Sequence, residues 1–250
     1  MDPWNLTPNE WANVLLRGTT PEEVARNVLE GKLLPWTKTL LRYTEAGDSL
    51  LELGSGAGQN SALMAHNGRR ITLLDISKEN LEFSAEVFEL LNLNGYFRLA
   101  DMTKPLPFDD NSFDTVFSVG VFEYFNDEQI NKILKEAFRI AKRRLIIMMP
   151  NASSAPYRIG YWISRATNRW VWGGERPLHT LKPHFESIEN IQLIEYTVAL
   201  QHSLSFLTAF VPRGNVVNNL VRKTLRRMDD SNPTLLRQGY LLISIGEKNG

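Results

Sequence analysis

Residues 50–60 read Leu50-Leu51-Glu52-Leu53-Gly54-Ser55-Gly56-Ala57-Gly58-Gln59-Asn60. An apolar run ends in three alternating glycines, and a helical pattern follows. Glycine reaches positive φ and carries no Cβ, so the backbone can turn sharply and press against a ligand. The amides at the following helix start then face that ligand. A dinucleotide site wants Gly-x-Gly-x-x-Gly, because a pyrophosphate sits on the helix start. Gln59 occupies the position of that third glycine, so the dinucleotide pattern fails by one residue and a nicotinamide oxidoreductase is disfavoured. Glu52 places an acid beside the turn. That suits a cationic amino acid group and opposes a pyrophosphate.

Moving outward, short β-rich runs alternate with helical patterns from Asp48 onward, as a doubly wound parallel sheet requires. Strands are predicted at 49–53, 70–74, 96–100, 114–119 and 145–149, with helices over 59–67, 77–92 and 126–142. In the last helix, Ile130, Ile133, Leu134, Ala137, Phe138 and Ala141 keep the spacing of one buried face. Asn126 with Gln129 reads as its cap, and Lys142, Arg143 and Arg144 as cations at its C-terminal dipole. Upstream, Thr7-Pro8-Asn9-Glu10 and Thr20-Pro21-Glu22-Glu23 repeat one helix-start signature, and a third helix is predicted over 36–43. Residues 1–47 thus read as a helical cap, and 48–250 as the main domain with insertions at 151–179 and 201–238. A short helix at 180–187, a strand at 191–198 and a final strand at 240–245 complete the pattern.

The second run ends Leu73-Leu74-Asp75-Ile76, placing a carboxylate beside the glycine turn, where it can accept from both hydroxyls of a ribose. The third leads to Leu99-Ala100-Asp101-Met102, an acid and an apolar residue suited to an adenine. Pro107-Phe108 and Phe113-Asp114 then lead into Ser118-Val119. Together these residues resemble the class I S-adenosylmethionine-dependent methyltransferases, in particular the ubiquinone and menaquinone biosynthesis branch. The resemblance implies a Rossmann-like sheet of seven strands with the last antiparallel, and helical insertions after strands 5 and 6. It implies S-adenosylmethionine as cofactor and S-adenosylhomocysteine as product, without a metal. It also implies that Glu52, Gly54, Gly56 and Gly58 meet the methionyl part, Asp75 and Ile76 the ribose side, and Asp101 and Met102 the adenine. Ser118 and Val119 would border the methionyl group.

Methyl transfer needs orientation and exclusion of water before it needs an acid or base, and no catalytic residue is assigned. The chain has no cysteine, which removes thiol nucleophiles, thiolate metal sites and disulfides together. No Asn/Asp-Pro-Pro-Tyr/Phe sequence follows the fourth strand, and Ser118 stands where a metal-dependent catechol enzyme would want an Asp. His179 and His184 are general-base candidates only by their place after the fifth strand. With 28 Lys+Arg against 28 Asp+Glu, overall charge gives no argument for nucleic acid. Met1-Asp2-Pro3-Trp4 lacks the basic and apolar regions of a signal peptide, and no apolar run is long enough to span a bilayer. The expectation is a cytoplasmic protein.

The acceptor is expected beneath the insertions, against Tyr157, Tyr161 and Trp162, with Trp170 and Trp172 extending the aromatic wall. Residues 137–174 contain no acid, nor do 196–228. In the second stretch Val217, Leu220, Val221, Leu225 and Met228 form an apolar stripe, opposite Arg222, Lys223, Arg226 and Arg227. Such a helix can lie weakly on an anionic membrane surface. The leading expectation is methyl transfer to a small, partly apolar acceptor. The alternatives are a macromolecular or lipid-surface acceptor, and a protein that binds S-adenosylmethionine without catalysis.

Overall fold

The computed structural model describes residues 7–32, 34–170, 172–207 and 237–249, apart from the side chain of Trp11. Seven strands form one sheet: β1 (Ser49–Leu53), β2 (Arg70–Asp75), β3 (Gly95–Leu99), β4 (Phe113–Val119), β5 (Ala141–Pro150), β6 (Ile191–Val198) and β7 (Leu241–Lys248). Their order is β3-β2-β1-β4-β5-β7-β6. The first five strands pair in parallel, while β7 inserts antiparallel between β5 and β6. This is the seven-stranded, doubly wound architecture expected, with its last strand reversed.

Side chains alternate faces along a strand, and that period sorts the core into two layers. Leu50 of β1 and Ile146 and Met148 of β5 join α4 (Gln59–His66) and α5 (Lys78–Leu90) on one face. Leu51, Leu53, Leu145, Ile147 and Met149 meet α6 (Asp127–Ile140) and α8 (Lys182–Phe185) on the other. The N-terminal helices α1 (Pro8–Leu15), α2 (Pro21–Leu29) and α3 (Pro35–Tyr43) start from the Thr7 and Thr20 caps and from Leu34. Val24, Val28 and Leu40 bury into the α4–α5 layer, so these helices share the sheet's core.

Two boundaries differ from the sequence reading. Helix α6 keeps its Asn126–Gln129 capping box but stops at Ile140, and β5 begins at the next residue. Lys142, Arg143 and Arg144 are therefore strand residues. Arg143 reaches Asp48 at 2.5 Å and Asp114 at 3.6 Å, and Arg144 reaches Glu247 at 3.4 Å and the Tyr43 carbonyl. These cations clip neighbouring elements together at the sheet edge opposite the glycine turn. Downstream, the first insertion contains a full helix, α7 (Ala155–Ala166), capped by Ser154. It packs beside the short α9 (Leu200–Ser205). No helix among the described residues is long and apolar enough to cross a membrane.

Candidate active site

The turn after β1 is held by the end of β2. Gly54 and Ser55 both donate from their amides to the Leu74 carbonyl, at 2.8 and 3.1 Å. The Gly56 amide donates to Asp75 Oδ2 at 2.9 Å, and Ser84 Oγ donates to the Gly56 carbonyl at 3.1 Å. Gly56 has φ +52°, and a Cβ placed there would meet only Leu15 Cδ1 at 3.7 Å, so the position opens toward the cavity. Gly58 differs. With φ +67° it starts α4, and a Cβ would lie 2.6 Å from Ser84 Oγ. Its glycine serves packing, and Gly58 is not on the cavity wall.

A cavity of about 830 Å³ opens at this turn, within the size range of small-molecule clefts. Glu52, Gly54, Gly56, Asp75, Ile76 and Asp101 line its first half, together with Met102 and Val119. The structure thus brings these predicted residues to one wall, Ile76 at its rim with half its surface exposed. Ser118 does not join them. Its hydroxyl is buried and donates to the Leu53 carbonyl at 2.7 Å, tying β4 to the end of β1.

Glu52 is buried against α4, accepting from Ser61 Oγ at 2.5 Å and Asn60 Nδ2 at 3.4 Å. Burial dominates these two hydrogen bonds and the nearby Asp75 carboxylate raises the group further, so its pKa rises from 4.5 to about 7. Asp75 is also shifted upward by burial, although the Ser77 and Gly56 amides and Asn80 Nδ2 favour its charge. Asp101 Oδ1 accepts from Thr103 N at 2.8 Å and Thr103 Oγ1 at 2.7 Å, fixing the turn after β3. Ser55 Oγ and Asn80 Oδ1, both in buried residues on this wall, have no hydrogen-bond partner among the described residues.

The second half of the cavity is aromatic and acidic. Its rings come from Trp36 of α3, Tyr124 in the turn after β4, Trp170, Trp172, Phe206 and Tyr240. Tyr240 packs on Phe206 at 5.4 Å and on His202 at 4.6 Å between ring centroids. Tyr157 and Tyr161, expected on this wall, stand behind it. Tyr157 is fully buried and packs edge-on against Tyr240, and its hydroxyl donates to Glu175 Oε2 at 2.6 Å. Trp162 is 61% exposed on the outer side of α7, beside exposed Ile159 and Ile163, away from the cavity. The helical period that buries Tyr157 and Tyr161 turns Trp162 outward.

Glu123 and Glu175 bring two more carboxylates into the same half. The Arg176 amide donates to the Glu123 carbonyl at 2.9 Å, joining their two segments. Burial, reinforced by the charge of Glu175, drives the Glu123 carboxyl well above the usual carboxylate range. Burial likewise moves Glu175 to about 7, against the opposing hydrogen bond from Tyr157. Glu175 went unnoticed in the sequence. Its signal was position: it is the first acid after residue 136, directly behind Trp172-Gly173-Gly174.

The histidine candidates lie elsewhere. His184 Nδ1 bonds Asn131 Oδ1 at 2.8 Å on α6, and His179 Nδ1 bonds Ser153 Oγ at 3.0 Å. Neither lines the cavity, whereas His202 does. The basic stripe of Arg222, Lys223, Arg226 and Arg227 falls outside the described residues, as do Val217, Leu220, Val221, Leu225 and Met228.

Residues 50–144 match a family model described as a methyltransferase domain. Over 94 residues the chain is 35% identical to phosphoethanolamine N-methyltransferase 1 of Triticum aestivum, a match covering 36% of this chain and 18% of that enzyme. The chain therefore spans less than a fifth of that relative. Among solved structures, the YcgJ protein of Bacillus subtilis superposes with a TM-score of 0.56 at 17% identity, covering 86% of this chain and 98% of that one. Magnesium protoporphyrin IX methyltransferase of Synechocystis, solved with bound S-adenosylhomocysteine, gives 0.55 at 14% identity over 92% of this chain and 83% of that one. The likeness to the ubiquinone and menaquinone branch rests on the motif residues alone.

Proposed function

We propose that this chain, whose residues 50–144 form a methyltransferase domain of the class I S-adenosylmethionine-dependent type, transfers a methyl group to a small, partly apolar molecule. The observation that carries this reading is one continuous cavity, running from Gly56, Asp75 and Asp101 at the glycine turn to the aromatic wall of Trp170, Trp172 and Tyr240. A donor and an acceptor held in such a space meet without water between them, and orientation of that kind contributes roughly 7–11 kcal/mol toward a displacement.

The residues of the first half fit S-adenosylmethionine. Glu52 offers a carboxylate to a cationic amino acid group, and Gly56 leaves room for a close approach of the backbone. Asp75 and Asp101 stand at the ends of β2 and β3, where ribose hydroxyls and an adenine amino group require acceptors. The unpartnered Ser55 Oγ and Asn80 Oδ1 supply further polar contacts for a ligand with several hydroxyl and amino groups. When bound, that cofactor supplies a methyl group on a sulfonium.

Around it, Trp36, Leu15 and Pro8 of the N-terminal helices contribute to the cavity lining. These helices thus reach the site as well as the core. An apolar or aromatic body of the acceptor packs against Trp170, Trp172 and Phe206. The test is calorimetric binding of S-adenosylhomocysteine to the full chain, followed by methyl transfer from labelled S-adenosylmethionine to a panel of small acceptors. Micromolar binding with transfer to one acceptor class supports the reading. Absence of binding removes it.

A further inference from the structure

The described residues lining the cavity include five carboxylates, Glu52, Asp75, Asp101, Glu123 and Glu175, and no Lys or Arg. Three of the acids belong to the glycine-turn half. Glu123 and Glu175 lie beyond it, 3% and 9% exposed, among Tyr124, Trp170, Trp172 and Tyr240. Glu123 Oε2 has no hydrogen-bond partner among the described residues. Arg176 is next in the chain to Glu175 but turns away, its guanidinium taken by Asp127 at 2.8 Å and the Phe125 carbonyl at 2.9 Å. A buried carboxylate keeps its charge only beside a cation or a full set of donors. Among the described residues, the Tyr157 hydroxyl serves Glu175, and none serves Glu123 Oε2.

We propose that Glu123 and Glu175 receive the ammonium group of a small amine between the aromatic rings, so that the atom methylated is an amine nitrogen. This rests on the methyl-transfer reading above. Aromatic faces attract such a cation, and the two carboxylates fix its position. An anionic acceptor would instead meet five carboxylates with no described cation to offset them.

An ammonium has no lone pair, so the amine must lose a proton before it can attack. One carboxylate of the pair accepts that proton on Oε. The freed nitrogen lone pair then forms the N–C bond, the methyl–sulfur bond breaks, and its electron pair stays on sulfur. The product is a methylated ammonium and a neutral thioether, with the proton held by the carboxyl until release. Burial supports this role by moving Glu175 close to neutral pH, where it can both take and return a proton. The titratable groups around the pair are Tyr124, Tyr157, Tyr161 and Tyr240, and His202 lines the same cavity. The first four come from the turn after β4, from α7 and from the residue before β7.

The experiment uses the full chain saturated with S-adenosylhomocysteine and three probes of one shape: benzylamine, benzyl alcohol and benzoate. Calorimetry at pH 7 should show benzylamine binding at least about tenfold tighter than benzyl alcohol, with no detectable benzoate binding. Repeating benzylamine in buffers of different ionisation enthalpy should reveal proton release, because the cation draws a proton from the carboxyl pair. Glu123→Gln and Glu175→Gln, made separately so that one folded variant suffices, should each bring benzylamine to the level of the alcohol. Both should keep S-adenosylhomocysteine affinity within about twofold. Equal affinity for amine and alcohol, a preference for benzoate, or no benzylamine binding overturns the amine site. Failure of the wild type to bind S-adenosylhomocysteine overturns the methyltransferase reading instead.

Discussion

The two halves of the cavity are built in opposite ways. The glycine-turn half comes from strand ends and the turns that follow them, so its residues sit in short runs: 52–56, 75–76 and 101–102. The aromatic half is gathered from Trp36, Tyr124, Trp170, Glu175, Phe206 and Tyr240, scattered over most of the chain. The first half is fixed by local backbone geometry and resists substitution. The second is fixed by tertiary packing, so side chains there can change without disturbing the turn. A common site on one scaffold can in this way accept different partners, in keeping with function living in sites on folds.

The largest effect expected from breaking this contrast is at Gly56. Gly56→Val puts a β-branched side chain into the cavity at φ +52°. Cofactor affinity should fall by more than about a hundredfold, or about 2.7 kcal/mol, by equilibrium dialysis, while circular dichroism still reports a folded protein. Normal binding by this variant would remove the turn from the site. Next is Asp75→Ala, which removes the acceptor of the Gly56 amide as well as the ribose partner. Loss of a charge-assisted hydrogen bond of about 1.5–3 kcal/mol gives roughly ten- to a hundredfold weaker binding of both S-adenosylmethionine and its product.

Glu52 links the same half to pH. Its folded pKa of about 7 lies above the unfolded 4.5, so the folded chain holds the extra proton between these values. The sign follows: this group's contribution to stability is greatest below pH 4.5, is lost as pH rises, and is fully lost above pH 7. The loss is about 3 kcal/mol at most. Glu52→Gln should therefore raise the melting temperature at pH 8 and flatten its pH dependence. The same change should weaken S-adenosylmethionine binding at pH 8. In the wild type that affinity should drop as pH falls below about 7, since the protonated acid no longer attracts an ammonium. A melting temperature at pH 8 unchanged by Glu52→Gln would show that burial does not disfavour this charge.

The smallest effects on the cofactor belong to the aromatic half. Trp172→Ala should slow methyl transfer by about tenfold or more while leaving cofactor affinity within about twofold. Trp162→Ala, on the outer side of α7, should change neither, and a slowed Trp162→Ala variant would mean that α7's outward ridge takes part in the reaction.

The sequence disclosed the first half because contiguous residues there carry both the geometry and the chemistry: Gly54 to Gly58 shape the turn that Glu52 and Asp75 flank. It disclosed the succession of strands and helices as well, since short β-rich runs alternate with helical patterns from Asp48 onward, whereas the seven-stranded sheet with its reversed last strand came from the family resemblance. The charged run 142–144 misled because cations suit a helix end as well as ion pairs between neighbouring strands, and only Asp48, Asp114 and Glu247, distant in the chain, decide between them. Trp162 misled because aromatic composition does not say which side of a helix faces inward. Glu175 was hidden for a related reason, and Glu123 with Tyr124 reads in sequence as the start of the next helix: each acid is unremarkable alone, and their meaning arises when the Arg176 amide joins the two segments at the Glu123 carbonyl.

The junction at Ile140 and Ala141 carries a last consequence. Helix and strand meet there without a spacer, and β5 lies between β4 and β7 with Leu145 to Pro150 fully buried or nearly so. A loop can absorb an extra residue by bulging, and the first residues of β5 already do so: between Ala141 and Arg144 the register on β4 shifts by one residue. One residue inserted further along, between Leu145 and Pro150, would instead exchange the two faces of the buried part of β5. Length is thus fixed over 145–150. The tolerance for insertion and drift lies instead after Pro150, on the side of the sheet that carries the aromatic wall, so the molecule's freedom to change is directed toward what it binds.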